Sequence, residues 1–291
     1  MLAIKNGKII FEDGIKEGKA LLFENKIIGI VDENDVPADA EIIDANSGFV
    51  SPGFIDLHIH GYLGSDVCDA SEESIRIISK GLLENGVTGY LPTTMTVDLS
   101  VVEGAIEACR SLMREKDFDG ATILGVHAEG PFISASKKGA QDERYILKPD
   151  ADFVKSNSDV IKIITLAPEE DGEGFSAIQR IATETDVVVS MGHTSADFDT
   201  ALASTKCGVR HATHLFNAMT PLTHRAPGVV GAVFASDVSC ELIVDTYHVH
   251  PALFETVYKL KGRKLCTITD CLPAGGLPEG EYTLGGARMQ I

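Results

Sequence analysis

From residue 54 onward, short apolar, strand-like runs alternate with segments of helical periodicity. The strand-like runs occupy residues 54–60, 88–92, 122–128, 160–167, 187–191, 211–216, 242–244 and 265–269. Helical patterns fill most of the intervals, at residues 71–85, 99–115, 172–185, 196–205 and 251–260. Eight strands with interposed helices are typical of parallel βα units, so the sequence predicts a (β/α)8 TIM-like barrel.

The segments on either side of this alternation are β-like. Residues 1–51 contain three apolar runs divided by turn dipeptides such as Asn6-Gly7 and Asp13-Gly14, which predict a small β-sandwich domain. The barrel is assigned to residues 52–275, and residues 276–291 are predicted to return as strands to the sandwich. Because no helical segment follows the eighth strand, the outer layer of the barrel is expected to be incomplete at the C-terminus.

Two of the predicted connections are long and contain glycine and proline. They span residues 133–148 and 221–238. Long loops on a rigid scaffold often contain functional residues, so we expect both to contribute to a site.

Composition excludes several classes of function. The formal net charge is −18, which disfavours binding to nucleic acid or to an anionic membrane. No apolar run approaches the roughly 20 residues of a membrane span. Residues 1–8 have no signal-peptide pattern, so a cytoplasmic protein is expected. Six cysteines without a C-x-x-C pair disfavour both a thiolate zinc site and a disulfide framework.

Residues of metal-ligating type stand at the ends of five predicted strands. They are His58 and His60 at the end of the first, Glu129 after the third, His193 after the fifth, His214 on the sixth and Asp270 after the eighth. His58 and His60 share one face of their strand, and the C-terminal ends of barrel strands meet at one mouth. Imidazole and carboxylate ligands suit zinc, iron or another divalent metal. The pattern predicts a metal-dependent hydrolase, with His127, deeper in its strand, as a supporting residue.

Several longer motifs accompany these residues. They are Pro-Gly-Phe-Ile-Asp-Leu-His-Ile-His-Gly at 52–61, His-Ala-Glu-Gly-Pro-Phe at 127–132, Gly-His-Thr at 192–194, Thr-His-Leu-Phe-Asn-Ala-Met at 213–219, Asp-Thr-Tyr-His at 245–248 and Thr-Asp at 269–270. In this order the chain resembles the N-acetylglucosamine-6-phosphate deacetylase family, a branch of the amidohydrolases. The resemblance runs from about residue 3 to residue 290 and implies amino-sugar catabolism and recycling.

The resemblance also implies roles for single residues. Glu129, His193 and His214 would hold the main metal ion, and His58 with His60 would support a second. Asp270 would act as general base and then as general acid, and His248 would orient or polarise the acetyl carbonyl. Asn217 and Ala218 would contact the sugar phosphate, as would Arg225 from the neighbouring subunit of a homodimer.

The sequence departs from the family pattern at three places. Gln141 stands where some relatives have a histidine, so its contact with the substrate would be neutral. Cys271 stands where a small residue is common. Family members also continue beyond the position of Ile291, so we expect helix 8 and part of the sheet domain to be absent.

Two other functions remain open at this point. One is a related amidohydrolase that acts on a cyclic amide; many of these use a modified lysine after strand 4, whereas residues 165–169 contain none. The other is a catalytically impaired fragment that only binds metal or amino-sugar phosphate.

Overall fold

The computed structural model describes residues 1–291, which divide into two units, Met1–Gly53 and Phe54–Ile291. The first unit consists of β1 (Leu2–Lys5), β2 (Lys8–Phe11), β3 (Gly14–Lys16), β4 (Lys19–Phe23), β5 (Ile27–Asp32), β6 (Glu41–Asp44) and β7 (Phe49–Val50). They form a four-stranded sheet in the order β5-β4-β1-β6 and a three-stranded sheet in the order β3-β2-β7. Alternation along β4 buries Ala20 and Leu22, as expected for strands with one covered face.

The second unit contains the remaining strands. They are β8 (Phe54–Ile59), β9 (Gly61–Tyr62), β10 (Ser65–Asp66), β11 (Val87–Thr94), β12 (Thr122–Ile123), β13 (Val126–Glu129), β14 (Ile161–Leu166), β15 (Val188–Met191), β16 (Val209–Ala212), β17 (Ser239–Ile243), β18 (Leu265–Ile268), β19 (Glu281–Leu284) and β20 (Ala287–Gln290). Eight of them, β8, β11 and β13 to β18, lie in parallel around the barrel. The predicted (β/α)8 architecture is therefore confirmed.

The barrel closes between its last and first strands just beyond the regular ladder. Ile59 and Cys271 form a parallel bridge. The backbone N–H of His60 donates to the Cys271 carbonyl at 2.9 Å, and that of Asp270 donates to the His58 carbonyl at 2.9 Å. This seam therefore places Asp270 beside the H-x-H pair.

Seven α-helices lie along the same unit. They are α1 (Glu72–Glu84), α2 (Leu99–Met113), α3 (Ala151–Ser156), α4 (Ser176–Glu184), α5 (Phe198–Cys207), α6 (Gly228–Ala235) and α7 (Phe254–Lys261). In α1, Ser71 caps the N-terminus, and Ile75, Ile78 and Leu82 form the buried stripe. None of the helices combines the length and the apolar character needed to cross a bilayer.

Short 3-10 turns complete the connections. They are Glu33–Asp35, Val67–Asp69, Ala135–Lys137, Glu143–Tyr145, Pro168–Asp171, Pro251–Leu253 and Gly262–Lys264. Two of them lie within the predicted long loop at residues 133–148, where they hold an otherwise irregular segment in a compact shape.

Three local features differ from the sequence predictions. Helix α6 lies in the segment predicted as a loop; it is buried along most of its length, so it lacks the polar face that reveals a surface helix. Helix α3 has only six residues and was not predicted. Strand β16 ends at Ala212, so His214 follows the strand instead of lying on it.

The end of the chain forms a hairpin. Strands β19 and β20 pair with each other in an antiparallel hairpin and belong to the same unit as the barrel. The return of residues 276–291 to the N-terminal sheets stays a prediction. Two consecutive left-handed glycines, Gly285 and Gly286, turn the chain locally back on itself. No helix follows β18 in residues 269–291.

Candidate active site

The predicted metal ligands meet at the C-terminal mouth of the barrel. His58 lies on β8 and His60 directly follows it, while Glu129 is the last residue of β13. His193 and His214 lie two residues beyond β15 and β16, and Asp270 lies two residues beyond β18. Because all these strands are parallel, their ends bring six side chains from distant parts of the chain into one cluster.

Three of these residues adopt a left-handed backbone conformation. The φ angles are 46° at His193, 28° at His214 and 50° at Asp270. Non-glycine residues adopt this conformation at a cost, and such costs concentrate at functional sites. Here each left-handed residue turns the chain sharply at a strand end, where its side chain joins the cluster.

Glu129 lies at the centre of the cluster. Its Oε1 atom is 3.0 Å from His214 Nε2, 3.2 Å from His193 Nε2 and 3.4 Å from His58 Nε2. Its Oε2 atom is 3.4 Å from His60 Nε2. The cluster has two halves: Glu129, His193 and His214 form one, and His58, His60 and Asp270 form the other. Glu129 belongs to the first half and also contacts the two histidines of the second.

The second half of the cluster has its own carboxylate. Asp270 Oδ1 is 3.3 Å from His60 Nε2 and 3.5 Å from His58 Nε2. The two histidine Nε2 atoms are themselves 3.2 Å apart. All three residues thus direct one ligand atom each towards a common point.

The outer nitrogens of the imidazoles show why the inner ones fit a cation. His60 Nδ1 is 3.2 Å from the Thr93 carbonyl, and His193 Nδ1 is 2.8 Å from the Lys137 carbonyl. A carbonyl only accepts, so each of these Nδ1 atoms carries the proton. In the neutral form of each ring, Nε2 then directs a lone pair inward, towards the other ligand atoms and the carboxylates. A divalent cation neutralises this arrangement, so the residues fit the metal site that their types predict.

Charge within the cluster changes the proton affinity of its members. Burial alone would lower the pKa of His60, but hydrogen bonds to Asp270 and Glu129 raise it well above its ordinary value. Burial opposes ionisation of Glu129, yet His193 and His58 hold its pKa well below the usual range. The metal-free cluster therefore retains protons on histidine, and a metal ion must displace them.

The loop at residues 133–148 contributes Gln141 to the site. Gln141 Nε2 donates to Glu129 Oε2 at 2.5 Å, and its Oε1 accepts the Thr96 backbone N–H at 2.5 Å. The side chain is buried and both of its polar ends are occupied. This geometry favours a role in orienting Glu129; the substrate contact assigned to Gln141 stays a prediction.

A cavity of about 560 Å³ opens over the cluster, within the range of roughly 300–1,000 Å³ common for small-molecule sites. His60, Glu129, His193, His214 and Asp270 contribute to its wall. Of the predicted substrate-binding residues, Gln141, Asn217, Ala218 and His248 line the cavity. Arg225 is exposed and is not part of this wall.

His248 is held by an acidic neighbour at the rim of the cavity. Its Nδ1 atom is 2.7 Å from Asp245 Oδ2, and the Asp245 Oδ1 atom accepts the His248 backbone N–H at 2.9 Å. The His248 side chain is 52% exposed, so its Nε2 is accessible to a ligand. The sequence motif at 245–248 assigns no separate role to Asp245, whereas in the structure Asp245 orients the ring.

His127 lies below the cluster and has no free ring nitrogen. Its Nδ1 is 3.0 Å from the Leu57 carbonyl, and its Nε2 is 2.7 Å from Thr165 Oγ1. Complete burial lowers the pKa of His127 to about 3, so the ring is neutral. These contacts agree with the supporting position expected for this residue.

Two buried carboxylates were missed in the sequence. Glu241 on β17 contacts His58, and Asp56 on β8 accepts hydrogen bonds from the backbone and side chain of Thr269. Each is a single acidic residue inside an apolar strand. A charged residue in such a position is rarely buried without a partner, so this pattern could have indicated a role in the site.

Comparison with known proteins identifies the relatives of this chain. Residues 49–278 match the amidohydrolase family. An N-acetylglucosamine-6-phosphate deacetylase of Lysinibacillus sphaericus is 37% identical over 296 residues, which cover 100% of this chain and 76% of that protein. The chain belongs to the N-acetylglucosamine-6-phosphate deacetylase family.

Solved structures of the family have the same fold. The Pasteurella multocida N-acetylglucosamine-6-phosphate deacetylase aligns with a TM-score of 0.92 and 34% identity, over 100% of this chain and 76% of that one. A mutant of the Mycobacterium smegmatis enzyme, solved in complex with N-acetyl-D-glucosamine-6-phosphate, aligns with a TM-score of 0.85 and 25% identity over the same shares. The resemblance read from the sequence motifs is therefore confirmed, and the chain is an amidohydrolase.

Proposed function

We propose that this protein hydrolyses the acetamide of N-acetyl-D-glucosamine 6-phosphate and releases D-glucosamine 6-phosphate and acetate. The observation that carries this proposal is the convergence of Glu129, His193 and His214 with His58, His60 and Asp270 beneath one cavity, in a chain of this family. An amide resists attack by neutral water, so its hydrolysis requires an activated nucleophile and a proton donor for the departing amine.

The cluster supplies positions for one or two divalent ions, with zinc or iron best matched to its nitrogen and oxygen ligands. Glu129, His193 and His214 form the main position, and His58, His60 and Asp270 form the second. The chemistry that such an ion supplies when bound is Lewis acidity, which lowers the pKa of water towards about 7 and polarises a carbonyl.

Asp270 is placed to move the proton. Burial opposes its ionisation, but the charge of His58 and a hydrogen bond from His60 hold the pKa of Asp270 below its ordinary value, so it is a carboxylate at rest. It can accept a proton as the water oxygen bonds to the amide carbon. Returning that proton to nitrogen as the C–N bond breaks lets the amine leave as a neutral group.

His248 and Asn217 are placed to orient the substrate. Asp245 accepts from His248 Nδ1, so the ring can donate from Nε2 only when both nitrogens carry protons; in that form it would donate to the acetyl oxygen as negative charge develops there. The Asn217 side-chain amide faces the His214 carbonyl at 3.3 Å and lies on the cavity wall. Together with the backbone of Ala218, it offers polar contacts to the sugar or its phosphate.

The phosphate requires positive charge in a protein of formal net charge −18. Arg225 is exposed and does not line the cavity of its own chain. This position supports a role in binding the phosphate across the interface of a homodimer. A guanidinium suits phosphate because it offers paired donors in one plane. We extend the proposal to a cytoplasmic homodimer; the six free cysteines are consistent with a reducing compartment.

The cyclic-amide alternative has less support in the geometry. Residues 167–171, which directly follow β14, contain no lysine, whereas many such enzymes have a modified lysine at this place. Glu169 in that segment instead accepts hydrogen bonds from Thr194 and Ser195 and does not line the cavity.

The test is a product assay on metal-loaded protein. Incubation with N-acetyl-D-glucosamine 6-phosphate should release acetate and primary amine in equal amounts, while hydantoin and dihydroorotate stay intact. Folded, metal-loaded protein that releases no acetate would overturn the enzymatic function and favour a binding role. Opening of a cyclic amide in its place would support the alternative.

A further inference from the structure

A carboxylate outside the cavity lies directly behind the H-x-H pair. Glu241 on β17 is fully buried in the barrel interior and is not part of the cavity wall. Its Oε2 atom is 2.9 Å from His58 Nδ1 and accepts the His214 backbone N–H at 3.1 Å. Its Oε1 atom is 3.2 Å from His211 Nε2. A buried carboxylate is costly unless it is paired, and this one has three donors.

The contact to His58 determines which ring nitrogen carries the proton. A carboxylate accepts, so His58 donates from Nδ1 and keeps a lone pair on Nε2. That Nε2 atom is directed at Glu129, His60 and Asp270, at distances of 3.4, 3.2 and 3.5 Å. The opposite tautomer would place a proton among these ligand atoms and block a cation.

His58 differs in this respect from His60 and His193. The Nδ1 atoms of His60 and His193 face the backbone carbonyls of Thr93 and Lys137. Backbone acceptors stay in place whatever side chains surround them. His58 alone among these three depends on a side chain for its orientation.

We propose that Glu241 is a positioning residue that fixes the tautomer of His58 and thereby makes the second metal position, His58 with His60 and Asp270, able to hold an ion. The inference rests on the proposed metal centre. Glu241 thereby determines whether the site binds one ion or two, because residues that orient a ligand typically change metal affinity by roughly 10- to 100-fold.

A purely structural role for Glu241 makes a different prediction. If the carboxylate only satisfies buried donors, its loss should lower thermal stability and leave the second ion unchanged. Ser190 provides a matched control, because it is equally buried in the barrel interior and its hydroxyl lies 2.6 Å from Thr213 Oγ1, with no contact to His58 or Glu241.

The experiment is a titration of metal-free protein with Zn²⁺ against a competing chelator, in the wild type and in Glu241→Leu, Glu241→Gln and Ser190→Ala. We expect two ions in the wild type and in Ser190→Ala. Glu241→Leu should weaken the second ion by roughly 100-fold and more than the first, and Glu241→Gln, which keeps an acceptor for His58, should weaken it by no more than roughly 10-fold. Unchanged binding of the second ion in Glu241→Leu would overturn the inference.

A measurement on the zinc-loaded wild type covers the case in which the leucine variant does not fold. Long-range proton–nitrogen NMR on ¹⁵N-histidine-labelled protein identifies the tautomer of His58, assigned by its disappearance in His58→Gln. A proton on Nδ1 supports the inference, and a proton on Nε2 overturns it. A wild type that binds one ion also overturns it, while acetate release by that one-ion protein would leave the proposed deacetylation intact.

Discussion

Gln141 and Glu129 are joined by a side-chain hydrogen bond of 2.5 Å at the base of the cavity. The glutamine comes from the long loop after β13, and the carboxylate ends that strand. Since the other end of the Gln141 amide accepts the Thr96 backbone N–H, the side chain has a single favourable orientation. The loop therefore fixes the carboxylate that both halves of the metal cluster share.

Replacing Gln141 with leucine should weaken metal binding. The change removes a donor from Glu129 and leaves the Thr96 N–H buried without an acceptor, which should reduce the free energy of unfolding by about 1–3 kcal/mol. Metal affinity should fall by roughly 10- to 100-fold. Chelator competition and thermal unfolding of metal-free protein measure the two effects. Gln179→Leu, a change on the exposed face of α4, is the control and should alter neither.

The paired variant His58→Gln, His60→Asn tests the number of ions. Removing both imidazoles should reduce the bound metal by one equivalent, because Glu129, His193 and His214 remain to hold the main ion. Elemental analysis after dialysis gives the count, and His224→Gln, in an exposed loop, serves as the matched control. An unchanged count in the paired variant would make the two histidines structural.

Metal affinity should fall as the pH is lowered through neutrality. The pKa of His58, His60 and His193 is raised in the metal-free cluster, so these groups hold protons above the pH at which a free histidine loses them. Metal binding must displace these protons, and a lower pH therefore favours the metal-free state. Titration calorimetry in buffers of different ionisation enthalpy should detect proton release near pH 7. Affinity that is constant between pH 6 and pH 8 would contradict this account.

Arg225→Ala should impair the reaction only with the phosphorylated sugar. Loss of a charged hydrogen-bond donor costs about 1.5–3 kcal/mol, which predicts a rise in KM of roughly 10- to 100-fold for N-acetyl-D-glucosamine 6-phosphate. The rate with unphosphorylated N-acetyl-D-glucosamine should be the same in the variant and the wild type. Steady-state kinetics on both substrates, with Arg210→Ala as the control, distinguish a phosphate contact from a general loss of activity.

The most informative sequence signals were the periodicity of the strands and helices and the position of polar residues at predicted strand ends. Alternating βα segments predicted the barrel, and its parallel strands brought His58, Glu129 and Asp270 together from distant parts of the chain. The rule that active sites of barrels form at the C-terminal strand ends was sufficient to predict this cluster, although no distance between the residues was known.

Features that depend on burial or on packing were not predictable in the same way. Helix α6 is apolar nearly all round and so lacked an amphipathic pattern. The positions of Gln141 and Glu241 depend on which side chains face them across the barrel, at sequence separations of 12 and 183 residues from Glu129 and His58. The pairing of β19 with β20 was not predictable either, because a β pattern does not specify the partner of a strand.

Asp270 transfers the proton in the proposed metal-dependent deacetylation. The most direct measurement is acetate release from N-acetyl-D-glucosamine 6-phosphate by wild type and Asp270→Asn, with metal content determined on the same samples. Because asparagine cannot accept the proton, we expect the variant to retain the main metal ion and to lose roughly 10²- to 10⁴-fold in kcat. Equal turnover in the two proteins, or no acetate from metal-loaded wild type, would contradict the account.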